Sequence, residues 1–442
     1  METDYDYIVL GTGITESFIS ILLSANGKRV LQADKNNFYG GEMRYLDLNE
    51  YWNSIPNNGA IPQFLGMPRK WIFDLISKFI NWKGKFIKLL YSSALLDYLE
   101  FRNIERTFIS TGPIDTDLWK NNLKAIPKNC IEVIETNLMG VNEIDQSKNF
   151  YNFIQGNDFY NGFIYNGANL SETPFRELIL NFSLSDVSLE FIKHYIGVRW
   201  EDTLSQNSLE VLMDLKRKMS SFEIEDYNQF IYPLYGLSSI IEGCSRLTAI
   251  YGNLLTLSST IGDINFQNSS EKIEISINDE KYRANAIICS PDYAKKFIEL
   301  KKQQTILRAT YIFLHPIIDD LSKSCHITLS KRNINREHDI YITCLDESFS
   351  VCRDHYIVCA STVMESDNPE FELLSTRRLL GHYFKVVYHQ YDIFDWDKST
   401  VPNNLFITKS YDPSADMESI ADDIIELYKE ATGTELKFSE HN

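Results

Sequence analysis

Apolar and polar positions change period several times along the chain, and each change marks an element. Tyr5 to Leu10 is a short run of β-branched and aromatic residues, after which Gly11-Thr12-Gly13 turns into a segment with Phe18, Ile19, Leu22 and Leu23 at helical spacing. Asn26-Gly27 ends that segment, and Val30 to Ala33 is a second apolar run that stops on Asp34. This order predicts one βαβ unit of a dinucleotide-binding sheet. Between 112 and 225 glycine thins out, and apolar residues recur with helical period in Ile131–Leu138, Val187–Ile196 and Leu209–Met219, which predicts a helical insertion. Strand signals return at Phe230. Ile273–Ile277 and Tyr282–Cys289 read as a hairpin around Asn278-Asp279, and Glu418–Ala431 reads as a helix stopped by Gly433. Trp71 to Leu96 also has roughly helical spacing, but Lys78, Lys83, Lys85 and Lys88 make it amphipathic rather than membrane-spanning.

Composition narrows the class. A chain of 442 residues favours two domains, or one large domain with an insertion, and 44% apolar residues suffice for a full core. Asp plus Glu outnumber Lys plus Arg by 61 to 43, and the resulting charge of −18 excludes a dedicated nucleic-acid binder, which needs clustered cations. The seven cysteines include no CxxC pair and no apolar leader precedes them, so the expectation is reduced thiols in a cytosolic protein. Cys344, Cys352 and Cys359 lack metal-site spacing, and none of the eight histidines falls in a metal-hydrolase or nucleophile-elbow pattern. Neither a metal nor a catalytic residue is expected.

The glycine motif is degenerate. A dinucleotide fingerprint needs glycine for the tight turn, for the approach of the pyrophosphate and for close helix-to-strand packing. Those places hold Gly11, Gly13 and Glu16, and the acidic residue that would meet a ribose hydroxyl is Asp34. Glu16 lies in the first helical turn, where its negative charge competes with a phosphate for the positive helix end. The expectation is a cofactor-binding fold used as a scaffold, with no cofactor.

Taken in order, several segments resemble the Rab GDP dissociation inhibitor family over nearly the whole chain. They include Tyr5 to Glu16, Tyr39-Gly40-Gly41-Glu42, Asp74 to Phe79, Tyr232 to Leu237, Arg246 to Gly252, His315-Pro316, Asp339-Ile340-Tyr341, Ser410-Tyr411-Asp412 and Thr432-Gly433. The resemblance is weakest between 112 and 225. It implies an α/β fold: a Rossmann-like FAD/NAD(P)-type domain, related to flavin monooxygenases, with an inserted, mostly helical second domain. Domain I would comprise 1–111 and 226–442 and grip a GDP-bound Rab GTPase, and domain II, 112–225, would hold the geranylgeranyl lipid. The implied protein slows GDP release, extracts prenylated Rabs from membranes and recycles them, staying cytoplasmic with transient membrane contact.

Of the family's Rab-binding positions, Tyr39 and Arg246 match. Ser239 stands where the family has Glu, Leu254 and Thr256 replace its Thr and Met, and Glu225-Asp226-Tyr227-Asn228-Gln229 replaces its glycine- and proline-containing loop. Alternatives consistent with the sequence are a Rab escort protein, a member with an exchanged partner, and an amine-oxidase-type flavoenzyme. The stretch Arg69 to Lys88 is a local basic exception that would face an anionic membrane.

Overall fold

The computed structural model describes residues 4–82, 84–114, 122–125, 141–184, 189, 204–219, 229–266, 272–317 and 324–438. They fall into two compact units, one of residues 1–103, 230–324 and 340–442, the other of 104–229 and 325–339.

The first unit opens with strand β1 (Asp4–Leu10), helix α1 (Ile14–Ala25) and strand β2 (Val30–Ala33), in the order the hydrophobic pattern predicts. Every residue of α1 from Ile14 to Ser24 is buried, so this helix is enclosed rather than lying on the surface. The short helix α2 (Lys85–Ser92) follows, and after the insertion come α3 (Ser238–Ile250) and the edge strand β3 (Leu254–Thr256). Strands β4 (Ile261–Asn265), β5 (Ile273–Ile277) and β6 (Glu280–Cys289) complete a sheet of order β3-β2-β1-β6-β5-β4. Its central pairs are parallel, with Leu10 opposite both Ala33 and Cys289, whereas β5 and β6 form an antiparallel hairpin. The ends of the parallel strands therefore meet at the glycine turn, where such sheets place a ligand.

A second, antiparallel sheet is built from β7 (Lys301–Phe313), β8 (Ile340–Leu345), β9 (Tyr356–Val363) and β10 (Lys385–Asp395), with β7 between β10 and β9. The chain then returns to the first sheet as β11 (Leu405–Ile407), parallel to β6, and ends in α4 (Glu418–Thr432), stopped by Gly433 in the left-handed conformation.

The stretch Trp71 to Leu96 departs from the helical expectation. It forms two-residue strands Phe73–Asp74 and Ile80–Asn81 before α2 begins at Lys85. Lys78 is fully buried: its ammonium donates to Asp412 at 2.7 Å, to Ser414 Oγ at 2.9 Å and to the Asp416 carbonyl at 3.1 Å. A lysine that looked like one charge of a solvated face is thus an internal strut. Lys85 pairs with Asp422, so with Lys78 internal two lysines of the expected membrane-facing stretch are otherwise engaged; Lys83 lies outside the described residues. No described helix is long and apolar enough to cross a membrane.

The second unit differs from the expected span 112–225. It begins at 104 and recruits 325–339, because Arg106–Ser110 pairs in parallel with Cys325–Leu329 as well as antiparallel with Leu123–Ala125. Its helices Val141–Gly156, Phe175–Leu180 and Ser208–Met219 close on an aromatic-rich core of Phe150, Phe159, Phe175, Leu178, Leu212 and Leu215. The predicted helix Ile131–Leu138, and Val187–Ile196 apart from Leu189, lie outside the described residues.

Candidate functional site

Two regions of the first unit bear on function: the phosphate end of the βαβ turn and the outward face of α3. At the first, Gly11 has φ +113°, as the tight turn requires. Gly13 plays a different part from the one its motif suggests. A Cβ there would collide with the Glu16 carboxylate and would lie 2.6 Å from the Tyr411 hydroxyl. The missing side chain thus makes room for protein groups. Glu16 is 1% exposed, accepts a 2.7 Å hydrogen bond from Thr408 and leaves its second oxygen without a partner. Burial pushes its carboxyl up to about 7.

Asp34 is equally committed. One carboxylate oxygen accepts from Thr12 Oγ1 at 2.6 Å, and the other from Tyr293 at 3.0 Å and the Asn36 amide at 2.8 Å. At 1% exposure it ties the ends of β1 and β2 together and offers no face to a ribose. A dinucleotide does not fit these residues: its pyrophosphate would meet Glu16 and Tyr411, and its ribose an acid already saturated. Tyr411, in the segment Ser410-Tyr411-Asp412, has no role that its sequence context predicts. Its neighbours are anchored by Arg308, buried at 3% exposure, which donates to the carbonyls of Tyr411 and Asp412 at 3.1 and 2.8 Å.

Glu16→Gln tests this plug. With its folded carboxyl near 7 against an ordinary 4.5, the folded chain holds more protons than the unfolded chain between those values, so Glu16 subtracts stability as pH rises through them. The amide cannot ionise. The variant is expected to match the parent near pH 4.5 and exceed it above pH 7 by up to about 3 kcal/mol. Urea unfolding at pH 5 and pH 8 reads the difference; equal gains at both pH values would contradict the assignment.

The second region is assembled by Asp74. Buried at 3% exposure, it accepts through Oδ2 from the Tyr232 hydroxyl and from the Leu237 amide at 3.1 Å, and so holds the residue that begins α3. Gly236 has φ +75°, and a Cβ there would lie 2.7 Å from Asp74 Oδ2. Burial raises Asp74 to about 6. At the far end of the helix, Asn253 accepts from the Val30 amide at 2.8 Å and donates to Ser24 Oγ at 2.7 Å, which fixes β3 against β2.

Between these anchors α3 buries Ile240, Ile241, Cys244, Leu247 and Thr248 and turns Ser239, Glu242, Arg246 and Ile250 outward, three or four residues apart. Arg246 is exposed and has no ion-pair partner among the described residues, while Ser239 is half-buried and donates to the Gly236 carbonyl at 2.7 Å. Leu254 is 44% exposed, and Thr256, two residues on, lies on the same side of β3. The Tyr39 loop rests on the helix: a Cβ on Gly40, at φ +96°, would lie 3.3 Å from Ile241 Cδ1. Tyr39 itself is half-buried. The structure thus puts the Tyr39 loop, Ser239 and Arg246 on or against one helix and carries Leu254 and Thr256 on the strand that follows it.

Sequence reasoning missed Glu242. It lies one turn beyond Ser239 and one turn before Arg246, near Tyr45, and burial raises its carboxyl above the ordinary value. Its signal was present in the i, i+3, i+7 spacing of 239, 242 and 246. Of the acidic loop, only Gln229 belongs to the described residues. Among those residues no group of three or more His, Cys, Asp or Glu is arranged to hold a metal ion.

Known proteins share this architecture. The sequence pattern of the GDP dissociation inhibitor family matches residues 1–442. Rab GDP dissociation inhibitor beta of Rattus norvegicus is 30% identical over 444 residues, which cover 100% of this chain and 97% of that protein. The crystal structure of a Rab GDI from Plasmodium falciparum superposes with a TM-score of 0.90 at 28% identity, over 99% of this chain and 100% of the other. An oxidoreductase from Methanosarcina mazei, 11% identical, superposes with a TM-score of 0.61 over 96% of this chain and 100% of its own, which shows the shared fold alone.

Proposed function

The chain belongs to the GDP dissociation inhibitor family, and from that membership we propose that it binds GDP-bound, prenylated Rab GTPases, slows their GDP release, extracts them from membranes and returns them for another round of vesicle transport. The observation that carries this reading is the contrast between the two regions of the first unit. The phosphate end is filled by Glu16 and Tyr411, while the outward face of α3 presents Glu242 and Arg246. A sheet of this type with its cofactor end closed and a helix face of mixed charge outside it suits protein recognition better than chemistry. No catalytic step is assigned.

Tyr39, Ser239, Arg246, Leu254 and Thr256, joined by Glu242, would form the Rab platform of domain I. The second unit, the counterpart of the expected domain II, would hold the geranylgeranyl lipid. A twenty-carbon chain gains about 0.8 kcal/mol per buried methylene, so its holder must offer a long apolar lining. The aromatic set around Phe153, Phe163, Tyr165 and Phe182, partly buried against the core of the second unit, supports that assignment. The protein would work in the cytoplasm and touch membranes transiently.

Incubation with membranes carrying prenylated Rab tests the proposal. Rab loaded with GDP should move to the supernatant in complex with the chain, and Rab loaded with a non-hydrolysable GTP analogue should stay behind. If GDP-loaded Rab stays on the membrane and no complex forms, the reading is wrong.

A further inference from the structure

The segment between α1–β2 and the second sheet carries a surface unlike the rest of the molecule. From Tyr51 to Phe73 there is no acidic residue, in a chain with 61 of them. Within it, Gln63–Leu65 and Pro68–Lys70 form two short 3₁₀ turns joined through Gly66, which has φ +74° and sits over the Cys352 thiol. Leu65 and Trp71 are fully buried, and the Trp71 indole donates to the Leu65 carbonyl at 2.8 Å, so both turns are pinned from below. Trp71 stacks on Phe73, and Phe73 on Tyr51, which makes the base rigid.

Pinning Leu65 and Trp71 inward turns Phe64 and Met67 outward, at 54% and 55% exposure. Phe64 is braced edge-on by Phe384, and Arg69 reaches over the Met67 sulfur. Arg69 and Lys70 are exposed, and Lys385 lies over the Trp52 ring next to Phe384. On the loop that packs beneath, Arg353 pairs with Glu347 and Asp354. Two apolar tips therefore project from a rigid base, with Arg69 and Lys70 in the same turn and Lys385 beside Phe384.

We propose that this surface docks the protein onto an anionic lipid bilayer, with Phe64 and Met67 entering the boundary between headgroups and acyl chains and Arg69 and Lys70 at the level of the phosphates. Apolar tips flanked by cations match that boundary. Charge complementarity also selects the orientation: with a net charge of −18 the remaining surface is repelled by an anionic leaflet, and the acid-free segment is the part that can approach. This site replaces the broader basic run as the membrane-facing element, because Lys78 is internal and Lys85 is paired. It does not depend on the identity of the GTPase.

Co-sedimentation of the purified full chain, without any GTPase, with phosphatidylcholine vesicles and with vesicles also containing phosphatidylserine is the test. The parent should pellet with the phosphatidylserine vesicles. Phe64→Ser with Met67→Ser should reduce binding to both vesicle types, whereas Arg69→Glu with Lys70→Glu should reduce it on the anionic ones alone, by at least about 20-fold. Because all four side chains are exposed, melting temperatures should be unchanged, and so should the complex with soluble GDP-loaded Rab lacking its lipid. A parent that pellets with neither vesicle, or variants that pellet like the parent, would overturn the proposal. A change in the chain's mass by analytical ultracentrifugation on substituting Phe64 and Met67 would overturn it too, and assign the patch to contact between copies.

Discussion

Asp74→Ala is expected to cost about 4 kcal/mol of folding stability at pH 5, more than any exposed substitution in the chain. The alanine leaves two buried donors without an acceptor, namely the Tyr232 hydroxyl and the Leu237 amide, and each such loss is worth about 1–3 kcal/mol. They share one carboxylate, so their costs do not simply add. The pH dependence has a definite sign. Because burial raises the folded carboxyl to about 6 from 3.8, the folded state holds more protons than the unfolded one between those values, and ionising Asp74 subtracts stability as pH rises through them. Alanine removes that penalty with the carboxylate, so the variant's deficit should shrink toward pH 8. Asn, which keeps one acceptor and cannot ionise, should restore most of the loss at pH 5. Urea unfolding of parent, Ala and Asn forms at both pH values reads all three effects; a deficit that is equal at pH 5 and pH 8 and unrelieved by Asn would refute the role of Asp74 as the anchor of α3.

That anchor shows where sequence was legible and where it was not. The βαβ unit, the hairpin of β5 and β6, and α4 with its glycine stop are local patterns, and the structure follows them to within a few residues. The break in the glycine motif was also local, because Glu16 stands three residues from Gly13 in the same first turn. What closes the site was not: Tyr411 arrives from the far end of the chain. Lys78 looked like part of a solvated stripe because its partner Asp412 is 334 positions away. The recruitment of Cys325–Leu329 to the second unit likewise rests on a parallel pairing across more than two hundred residues, which hydrophobic period cannot report. Glu242 was hidden for the opposite reason. A glutamate on an exposed helix face is ordinary, and only the placement of its neighbours gives it meaning.

That placement leads to the second large effect. Arg246→Ala should weaken the complex with GDP-bound Rab by about 30-fold or more, the loss of roughly 2 kcal/mol expected when an arginine at the centre of an interface is truncated. Its melting temperature should hardly move, since Arg246 is exposed and unpaired among the described residues. The same helix face sets up a rescue. Ser239 stands where the resemblance to the family puts a glutamate, and Glu242 supplies a carboxylate one turn along, on the same side and beside Arg246. If the interface needs one carboxylate near Arg246, Glu242→Ala should cost about 10-fold in affinity, and adding Ser239→Glu to it should recover most of that loss. Ser239→Glu alone should change little, or weaken binding slightly through repulsion between two acids on one face. Titration calorimetry of the four combinations forms a double-mutant cycle whose coupling term reports whether the two positions serve one contact. Strictly additive effects would mean that Glu242 is a solvated residue and that this chain meets its partner without the carboxylate contact that the resemblance implies at position 239.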